Sequence, residues 1–458
     1  MVYTPYQQDE SSHVGYALSL RQGELPSTST PVPTEGGGEH LGVALSRPWP
    51  FSVPNIHVAN NPPFVYLASL PFVELAIRTQ VTDGPLLVLR LVDVIGAVAA
   101  IGLAYLLGRE LSGGDRFAGL VTAGLLSSVI AISLVSSVAN VDGPALAATT
   151  GVTWMTARFA RTRALRDATV LGVWCAGAAA VRPMSAAFAA VAGAIALLLG
   201  VRTRGMAALV PLVTRLAVPT VLLSGWFYGL NWHRYGDMTG SGSQSGPGLF
   251  DLLTGPDVSV EPFAYLVTEV YGRNPWWEYE GLRHYLIAAA GAGVVITAVA
   301  LAAWSSRSAP ARRDETELSP AAWISTAVLA LVPIVVTAQH VSNGGAGHAR
   351  YLFPILPIVG AATALVASRI NRWLAVVVVG AFAIAQITRI RAAGNIHDGA
   401  LSITPPPLHH SLVDQPLLGL SVAVAIVGAV ALLASLVRLA TQPAGQQSSS
   451  GDSSPSRT

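Results

Sequence analysis

The sequence contains no lysine, so all 27 of its basic residues are arginine. It has a single cysteine, Cys175, which excludes an intrachain disulfide. Charged residues make up only 11% of the chain, whereas soluble domains carry about a quarter. Hydrophobic residues account for 52%, and the mean hydropathy is +0.52. This composition predicts a membrane protein with many spans and gives no reason to expect a nucleic-acid partner.

Apolar runs long enough to cross about 30 Å of hydrocarbon recur along most of the chain. They cover residues 86–108, 117–135, 144–161, 166–181, 183–200, 207–230, 282–304, 320–339, 351–368, 373–390 and 416–438. The pair Arg182-Pro183 separates two of the shorter runs and indicates a tight turn. The pattern predicts an all-α fold, a polytopic transmembrane helical bundle of about eleven spans.

The remaining segments divide the chain into four parts. Residues 1–61 are polar and rich in Pro, Gly, Ser and Thr, so we predict a loop outside the bundle. Residues 62–80 are apolar but interrupted by prolines and charges, which favours a helix lying at the membrane interface. Residues 81–440 form the predicted membrane module, with a large external loop at 231–281. Residues 441–458 have the composition of a disordered cytoplasmic tail.

Orientation follows from the distribution of arginine, which concentrates in cytoplasmic loops. With eleven spans, the Arg-rich loops near residues 109–116, 158–166, 202–204, 307–313 and 369–372 all fall on one side. We therefore expect a multi-pass protein of the inner or plasma membrane whose N-terminal segment lies outside the cytoplasm. Because translocation of that segment needs a preceding span, we also expect a first span upstream of this sequence.

Several polar motifs fall on the predicted external side. They are Asp9-Glu10 followed by His13; "NIHVANNPPFVYL" (55–67) with His57; Asn140-Val141-Asp142; Asn231 followed by Tyr235-Gly236-Asp237; and "GHARYLFP" (347–354) with His348, Arg350 and Tyr351. Each has a structural explanation on its own, such as a solvated loop charge, an aromatic belt or a snorkelling arginine. An arginine on the external side runs against the topology, however, and Arg350 could bind a phosphate bidentately.

Taken in order, these motifs resemble the GT-C superfamily of integral-membrane glycosyltransferases. The resemblance is to bacterial members similar to protein O-mannosyltransferases and aminoarabinose transferases, and it covers roughly residues 7–370. Those enzymes carry Asp-Glu and His in the first external loop and a Pro-Pro-aromatic interfacial helix. This chain departs from them in having Asn61, not His, immediately before the two prolines.

The resemblance implies transfer of a sugar from a polyprenyl-phosphate donor to a glycan, lipid or protein acceptor at the extracytoplasmic face of the bilayer. It implies that Asp9 is the general base and that Glu10 orients the acceptor or helps to hold a metal. Arg350, supported by His348, would stabilise the leaving phosphate. The other substrate-binding candidates are His13, His57, Asp142, Asn231, Asp237 and Tyr351. A divalent ion is compatible with the resemblance, although no ligand spacing requires one.

Two other classes remain open from the sequence. A polytopic transporter or lipid flippase would carry charges along a path through its spans, and Arg90, Asp93 and Arg215 are the few charges there. A non-catalytic membrane scaffold would present the external loop to a partner. It would not need carboxylates that converge from several loops.

Overall fold

The computed structural model describes residues 9–46, 54–129, 132, 136, 138–240, 318–342, 349–395 and 415–441. Within these residues the chain is almost entirely helical, and its extended pairing is limited to a single bridge between Pro31 and Asn55. The predicted all-α class is therefore confirmed over the described part of the chain.

Short helices precede the membrane module. They are α1 (Glu10–Arg21), α2 (Glu39–Leu45), a 3-10 turn (His57–Asn60) and α3 (Phe64–Arg78). The segment predicted as a loop thus contains a helix of three turns at its start. Residues 10–19 of α1 are all buried, and only the end of the helix beyond Ser19 is more open. Val14, Tyr16 and Leu18 pack with Leu86 and Leu89. This packing fixes α1 against the long helix that begins at Gly84.

The membrane module follows as a further series of helices. They are α4 (Gly84–Leu111), α5 (Arg116–Ser127), α6 (Asp142–Thr162), α7 (Leu165–Ala179), α8 (Pro183–Arg204), α9 (Leu209–Thr220), α10 (Trp226–Tyr235), α11 (Pro320–Ser342), α12 (Leu356–Ile370), α13 (Arg372–Asn395) and α14 (Gln415–Thr441). A π-helical turn (Val221–Gly225) joins α9 to α10, and a 3-10 segment (Ala349–Ile355) precedes α12.

Five helices of the described stretches are long and apolar enough to cross a membrane. They cover Gly84–Leu111, Pro183–Arg204, Met206–Tyr235, Pro320–His340 and Arg350–Ile370. Ten of the eleven predicted spans overlap described helices, and the run at 282–304 lies outside the described residues. The structure thus supports a multi-pass helical membrane protein.

Helices α4 and α6 approach each other very closely because glycine faces glycine. A Cβ atom on Gly96 would overlap the backbone of Gly143 and Pro144, and one on Gly143 would overlap the Asp93 carbonyl. Small residues at such crossings allow backbones to touch in a membrane. The crossing also lets the Gly143 amide donate to the Asp93 carboxylate at 2.9 Å, which anchors the start of α6.

The predicted cytoplasmic loops meet one another at the far end of α4. Arg161 contacts Glu110 at 2.6 Å, Arg372 contacts Asp115 at 3.5 Å, and the Trp323 indole donates to the Leu111 carbonyl. Since α4 has 28 residues, its two ends are about 40 Å apart. The Arg-rich loops near residues 109–116, 158–166 and 369–372 therefore meet at the opposite end of α4 from α1.

Candidate active site

Asp9 stands immediately before α1, where its backbone carbonyl accepts bonds from the amides of Ser12 and His13. Its side chain makes no capping bond and instead points towards Arg350 and His57. Arg350 donates from Nη2 to Asp9 Oδ2 at 3.2 Å, and His57 Nε2 lies 3.6 Å from Oδ1. The predicted base thus meets two of the predicted substrate-binding residues.

Two opposing effects act on the ionisation of this group. Burial would raise the pKa of Asp9, but Arg350, His57 and His13 together bring that pKa below its ordinary value of 3.8. Burial also lowers the pKa of His57, against the opposing field of Asp9. At neutral pH we therefore expect an ionised Asp9 beside a neutral His57.

Arg350 joins two carboxylates that come from distant parts of the chain. It lies on the 3-10 segment before α12, and its Nη1 is 3.7 Å from Asp142 Oδ2. Its Nε is buried and has no hydrogen-bond partner among the residues that the structure describes. The guanidinium also lies 5.7 Å from the centre of the Tyr351 ring, within the range of a cation–π interaction.

Asp142 begins α6 and is held from both sides. The Asn140 side chain accepts a hydrogen bond from the Asp142 amide at 2.6 Å, and Arg182 Nη1 donates to Asp142 Oδ1. Arg182 comes from the turn between α7 and α8, and its guanidinium lies 5.8 Å from the Tyr351 ring centre. Two arginines therefore share one carboxylate and one aromatic ring.

Sequence reasoning interpreted Arg182 only as part of a tight turn. The turn is confirmed, since α7 ends at Ala179 and α8 begins at Pro183. The missed signal was topological, because Arg182, like Arg350, is an arginine at the end of a span opposite to the Arg-rich loops.

Glu10 does not share the surroundings of Asp9. Its side chain is 1% exposed, and Arg90 of α4 binds it bidentately, Nε to Oε1 and Nη2 to Oε2, both at 2.7 Å. The Ala139 amide adds a bond to Oε1 at 2.6 Å. Glu10 therefore ties α1, α4 and the segment before α6 together. Arg90, considered from the sequence only as a possible transport charge, is its partner.

A divalent ion does not fit this donor set. Asp9 is paired with Arg350 and His57, and the Glu10 oxygens are already bound, so the acid pair does not offer two carboxylates to one ion. In the part of the chain that the structure describes, no group of three or more His, Cys, Asp or Glu is arranged to hold a metal.

His13 lies behind Asp9 in a layer of buried aromatic groups. Its Nδ1 and the Tyr66 hydroxyl share a hydrogen bond at 2.7 Å, and Tyr66 stacks on Tyr16 with ring centres 4.2 Å apart. The Tyr16 hydroxyl donates to the Asn61 carbonyl. Burial lowers the pKa of His13 to about 3, so this imidazole is neutral and supports α1 and α3 against each other.

Of the remaining candidates, Asn231 and Asp237 make their described bonds to groups other than Asp9. Asn231 is fully buried at the end of α10, and its amide donates to the carbonyls of Asn60 and Met238. Asp237 accepts from the amide and hydroxyl of Thr239 within the turn that follows Gly236. The described bonds of both residues therefore shape the chain next to the site. His348 lies outside the described residues.

One family model matches the chain, that of dolichyl-phosphate-mannose-protein mannosyltransferase, over residues 70–227. This range includes Asp142 and Arg182 but neither Asp9 nor Arg350. No curated protein sequence matches the chain.

Solved structures match over most of the chain. ArnT from Cupriavidus metallidurans bound to undecaprenyl phosphate is 12% identical, with 95% of this chain and 70% of that chain covered, at a TM-score of 0.50. The apo state of the same protein is 13% identical, with 93% and 74% covered, at 0.45. The oligosaccharyltransferase of Archaeoglobus fulgidus in its apo form is 13% identical, with 96% and 54% covered, at 0.40.

The likeness to ArnT concerns the fold, and the mannosyltransferase model matches the centre of the chain. Together they point to a glycosyltransferase. They confirm the resemblance to the GT-C superfamily of integral-membrane glycosyltransferases that the polar motifs predicted.

Proposed function

We propose that this chain is a membrane glycosyltransferase that moves a sugar from a polyprenyl phosphate to an acceptor on the extracytoplasmic side, with Asp9 as general base. The observation that carries the proposal is the position of Arg350 between Asp9 and Asp142. A carboxylate and a cation in contact at the end of a helical bundle are the two groups this reaction needs.

In the proposed reaction Asp9 takes the proton of an acceptor hydroxyl. The acceptor oxygen then forms a bond to the anomeric carbon of the sugar while the bond from that carbon to the phosphate oxygen breaks. The departing phosphate carries the negative charge that develops. Arg350 can stabilise that charge through its Nε, to which no described residue is bonded, and Arg182 lies on the same aromatic ring.

His57 and Asp142 complete the proposed site as groups that orient the reacting partners. His57 contacts Asp9 and can keep its carboxylate turned towards the acceptor. Asp142 keeps both arginines in place. We assign Glu10 and His13 to the support of α1, because both are buried and bound by groups behind Asp9.

We further propose that α3 lies in the membrane interface. Its exposed face is apolar and carries Phe64, Leu67, Phe72 and Leu75. Near its C-terminus, Glu74 binds both Arg21 and Arg78, which puts charge beside that face. A helix with this distribution would carry the site at the boundary between water and lipid, where a lipid-linked phosphate is found.

The proposed topology keeps eleven spans, with the N-terminal segment, the 231–281 loop and the Arg350 segment outside the cytoplasm and the 441–458 tail inside. This topology is supported by two groups of contacts that lie at opposite ends of α4. The group of Asp9, Asp142, Arg182 and Arg350 is joined to the N-terminal half of α4 through Asp93 and Gly143. The described Arg-rich loops instead meet at its other end, at Glu110 and Asp115.

A direct assay distinguishes the proposed class from its alternatives. The purified chain in lipid nanodiscs is mixed with a radiolabelled polyprenyl-phosphate sugar and an extract of envelope acceptors, and parallel liposomes report on movement of the lipid. A transferase releases polyprenyl phosphate and labels the acceptor. Movement of the lipid across the bilayer without cleavage would instead identify a flippase. If neither transfer nor movement is detected, the non-catalytic scaffold is the class that remains.

A further inference from the structure

We propose that Arg350 exchanges partners during the reaction: it pairs with Asp9 before the donor binds and passes to the donor phosphate afterwards, which releases Asp9 to act. This inference rests on the proposed function and adds an order to it. The donor would have to bind before the acceptor is activated.

The geometry of two arginines in this protein supports the exchange. Arg90 makes two parallel bonds of 2.7 Å to the single carboxylate of Glu10, and both side chains are 1% exposed. Arg350 divides its guanidinium between two carboxylates, at 3.2 Å and 3.7 Å, and is 21% exposed. Charge-assisted bonds are normally about 2.7–2.9 Å. Arg90 is therefore bound in its best geometry and Arg350 is not.

The donors of Arg350 that remain unused favour a tetrahedral anion. Its Nε is buried and, within the described part of the chain, has no hydrogen-bond partner. A phosphate can accept from Nε and one Nη together, the parallel pair that neither Asp9 nor Asp142 receives. Binding of a phosphate therefore satisfies a buried donor that the present pairs leave without a bond.

Both carboxylates can lose Arg350 without becoming buried, unpaired charges. Asp142 is only 3% exposed but keeps Arg182 on its other oxygen. Asp9 is 29% exposed and keeps His57 at 3.6 Å. An unpaired buried charge would be costly, but a partly hydrated one is tolerated. The two carboxylates are thus arranged so that the arginine can move.

The exchange also makes the Asp9 carboxylate a stronger base. The groups that face its carboxylate are Arg350 from the segment before α12, His57 from the 3-10 turn and His13 from α1. Arg350 is the permanent cation among them. Its transfer to a phosphate removes the positive field that weakens Asp9 as a base.

Because Asp9 and the phosphate compete for one guanidinium, removal of the Asp9 charge should strengthen donor binding. The probe is undecaprenyl phosphate without a sugar, titrated onto the full chain in nanodiscs, so no turnover is needed. We expect Asp9→Asn to bind it about fivefold more tightly than wild type, the scale of one partly exposed ion pair. Asp9→Ser should behave in the same way.

The controls separate competition for Arg350 from a general loss of negative charge. Glu74→Gln removes an exposed carboxylate of α3 and should leave the affinity unchanged. Arg350→Gln should weaken binding, and the gain from Asp9→Asn should disappear when it is added to Arg350→Gln. A gain that persists in the double variant, or an Asp9→Asn protein that binds no more tightly than wild type, overturns the exchange.

The two proposals fail in distinguishable ways. If the wild-type chain transfers sugar but Asp9→Asn binds undecaprenyl phosphate with unchanged affinity, only the exchange is contradicted and the proposed function stands. A wild-type chain that neither binds undecaprenyl phosphate nor transfers sugar removes the proposed function, and the exchange with it.

Discussion

The Asp9 carboxylate lies 3.2 Å from the Arg350 guanidinium, although 341 positions separate the two residues in the chain. One stands at the start of α1 and the other in the segment before α12, so their contact depends on how the helices between them pack. Neither residue lies in the span matched by the mannosyltransferase family model. The contact thus joins a residue before the matched range to a residue after it.

Asp9→Asn should reduce sugar transfer by about 10²- to 10⁴-fold, because an amide cannot accept the proton that a general base removes. The substitution keeps the shape of the side chain and alters no bond of the α1 backbone. The measurement is label transferred from a polyprenyl-phosphate sugar under single-turnover conditions.

Glu74→Gln is the matched control for that variant, since it also neutralises one carboxylate and lies on α3, away from Arg350. It should transfer sugar at the wild-type rate. Both variants should enter the membrane and elute from size-exclusion chromatography as wild type does. Near-normal transfer by Asp9→Asn would remove Asp9 from the mechanism.

Glu10→Gln should destabilise the protein strongly, although it neighbours Asp9. Loss of this charge leaves Arg90 buried in α4 without its counter-ion, which typically costs about 3–5 kcal/mol. We expect a clear fall in the thermal unfolding midpoint in detergent, measured by intrinsic fluorescence.

The double variant Glu10→Leu, Arg90→Met tests the cause of that loss. Because it removes both charges and fills their space with apolar groups, it should recover most of the stability that Glu10→Gln loses. A double variant as unstable as the single one would mean that the Ala139 amide bond, not the ion pair, dominates the contribution of Glu10.

The different roles of Asp9 and Glu10 show what the sequence could not reveal. As an acid pair they were assigned together, but successive residues at a helix start point in different directions. Asp9 faces Arg350 and Glu10 faces Arg90. The helix that creates this separation carries few of the usual signals, because its buried positions include Ser11, Ser12 and His13.

The membrane helices were far easier to predict because the thickness of the hydrocarbon and the need to satisfy every backbone group allow few solutions. Arg350 was found as a candidate because it departs from the arginine distribution. Arg182 departs from it in the same way, but its neighbour Pro183 offered a simpler explanation as a turn. Which carboxylate each arginine would bind depends on the crossing of α4 with α6, and one sequence does not specify that crossing.

His13 makes the stability of the folded protein depend on pH. Its pKa is lowered from 6.5 to about 3 in the folded state, so between these values the unfolded chain binds a proton that the folded chain does not. The stabilisation is complete above pH 6.5 and is lost as the pH falls towards 3. The slope is at most about 1.4 kcal/mol per pH unit.

His13→Gln is the variant that tests this dependence, since its amide can still bond to the Tyr66 hydroxyl but does not titrate. Unfolding midpoints of both proteins are measured from pH 7.5 to pH 4.5. Below pH 6.5 the wild-type midpoint should fall more steeply than that of His13→Gln, because only the wild type carries the titrating His13. His57 and the carboxylates are common to both proteins and contribute equally to the two curves. Parallel curves would show that His13 does not carry the pH dependence.

The side of the membrane on which Asp9 lies can be tested with single cysteines. Cys175 is 3% exposed inside the bundle, so the wild-type chain should react little with a membrane-impermeant maleimide. Ser29→Cys introduces an exposed thiol after α1, and Thr203→Cys introduces one in the last turn of α8, in a predicted cytoplasmic loop. In intact cells or spheroplasts we expect labelling of Ser29→Cys alone, and after permeabilisation labelling of both. The reverse pattern in intact cells would place Asp9 and Arg350 in the cytoplasm and would contradict the proposed extracytoplasmic reaction.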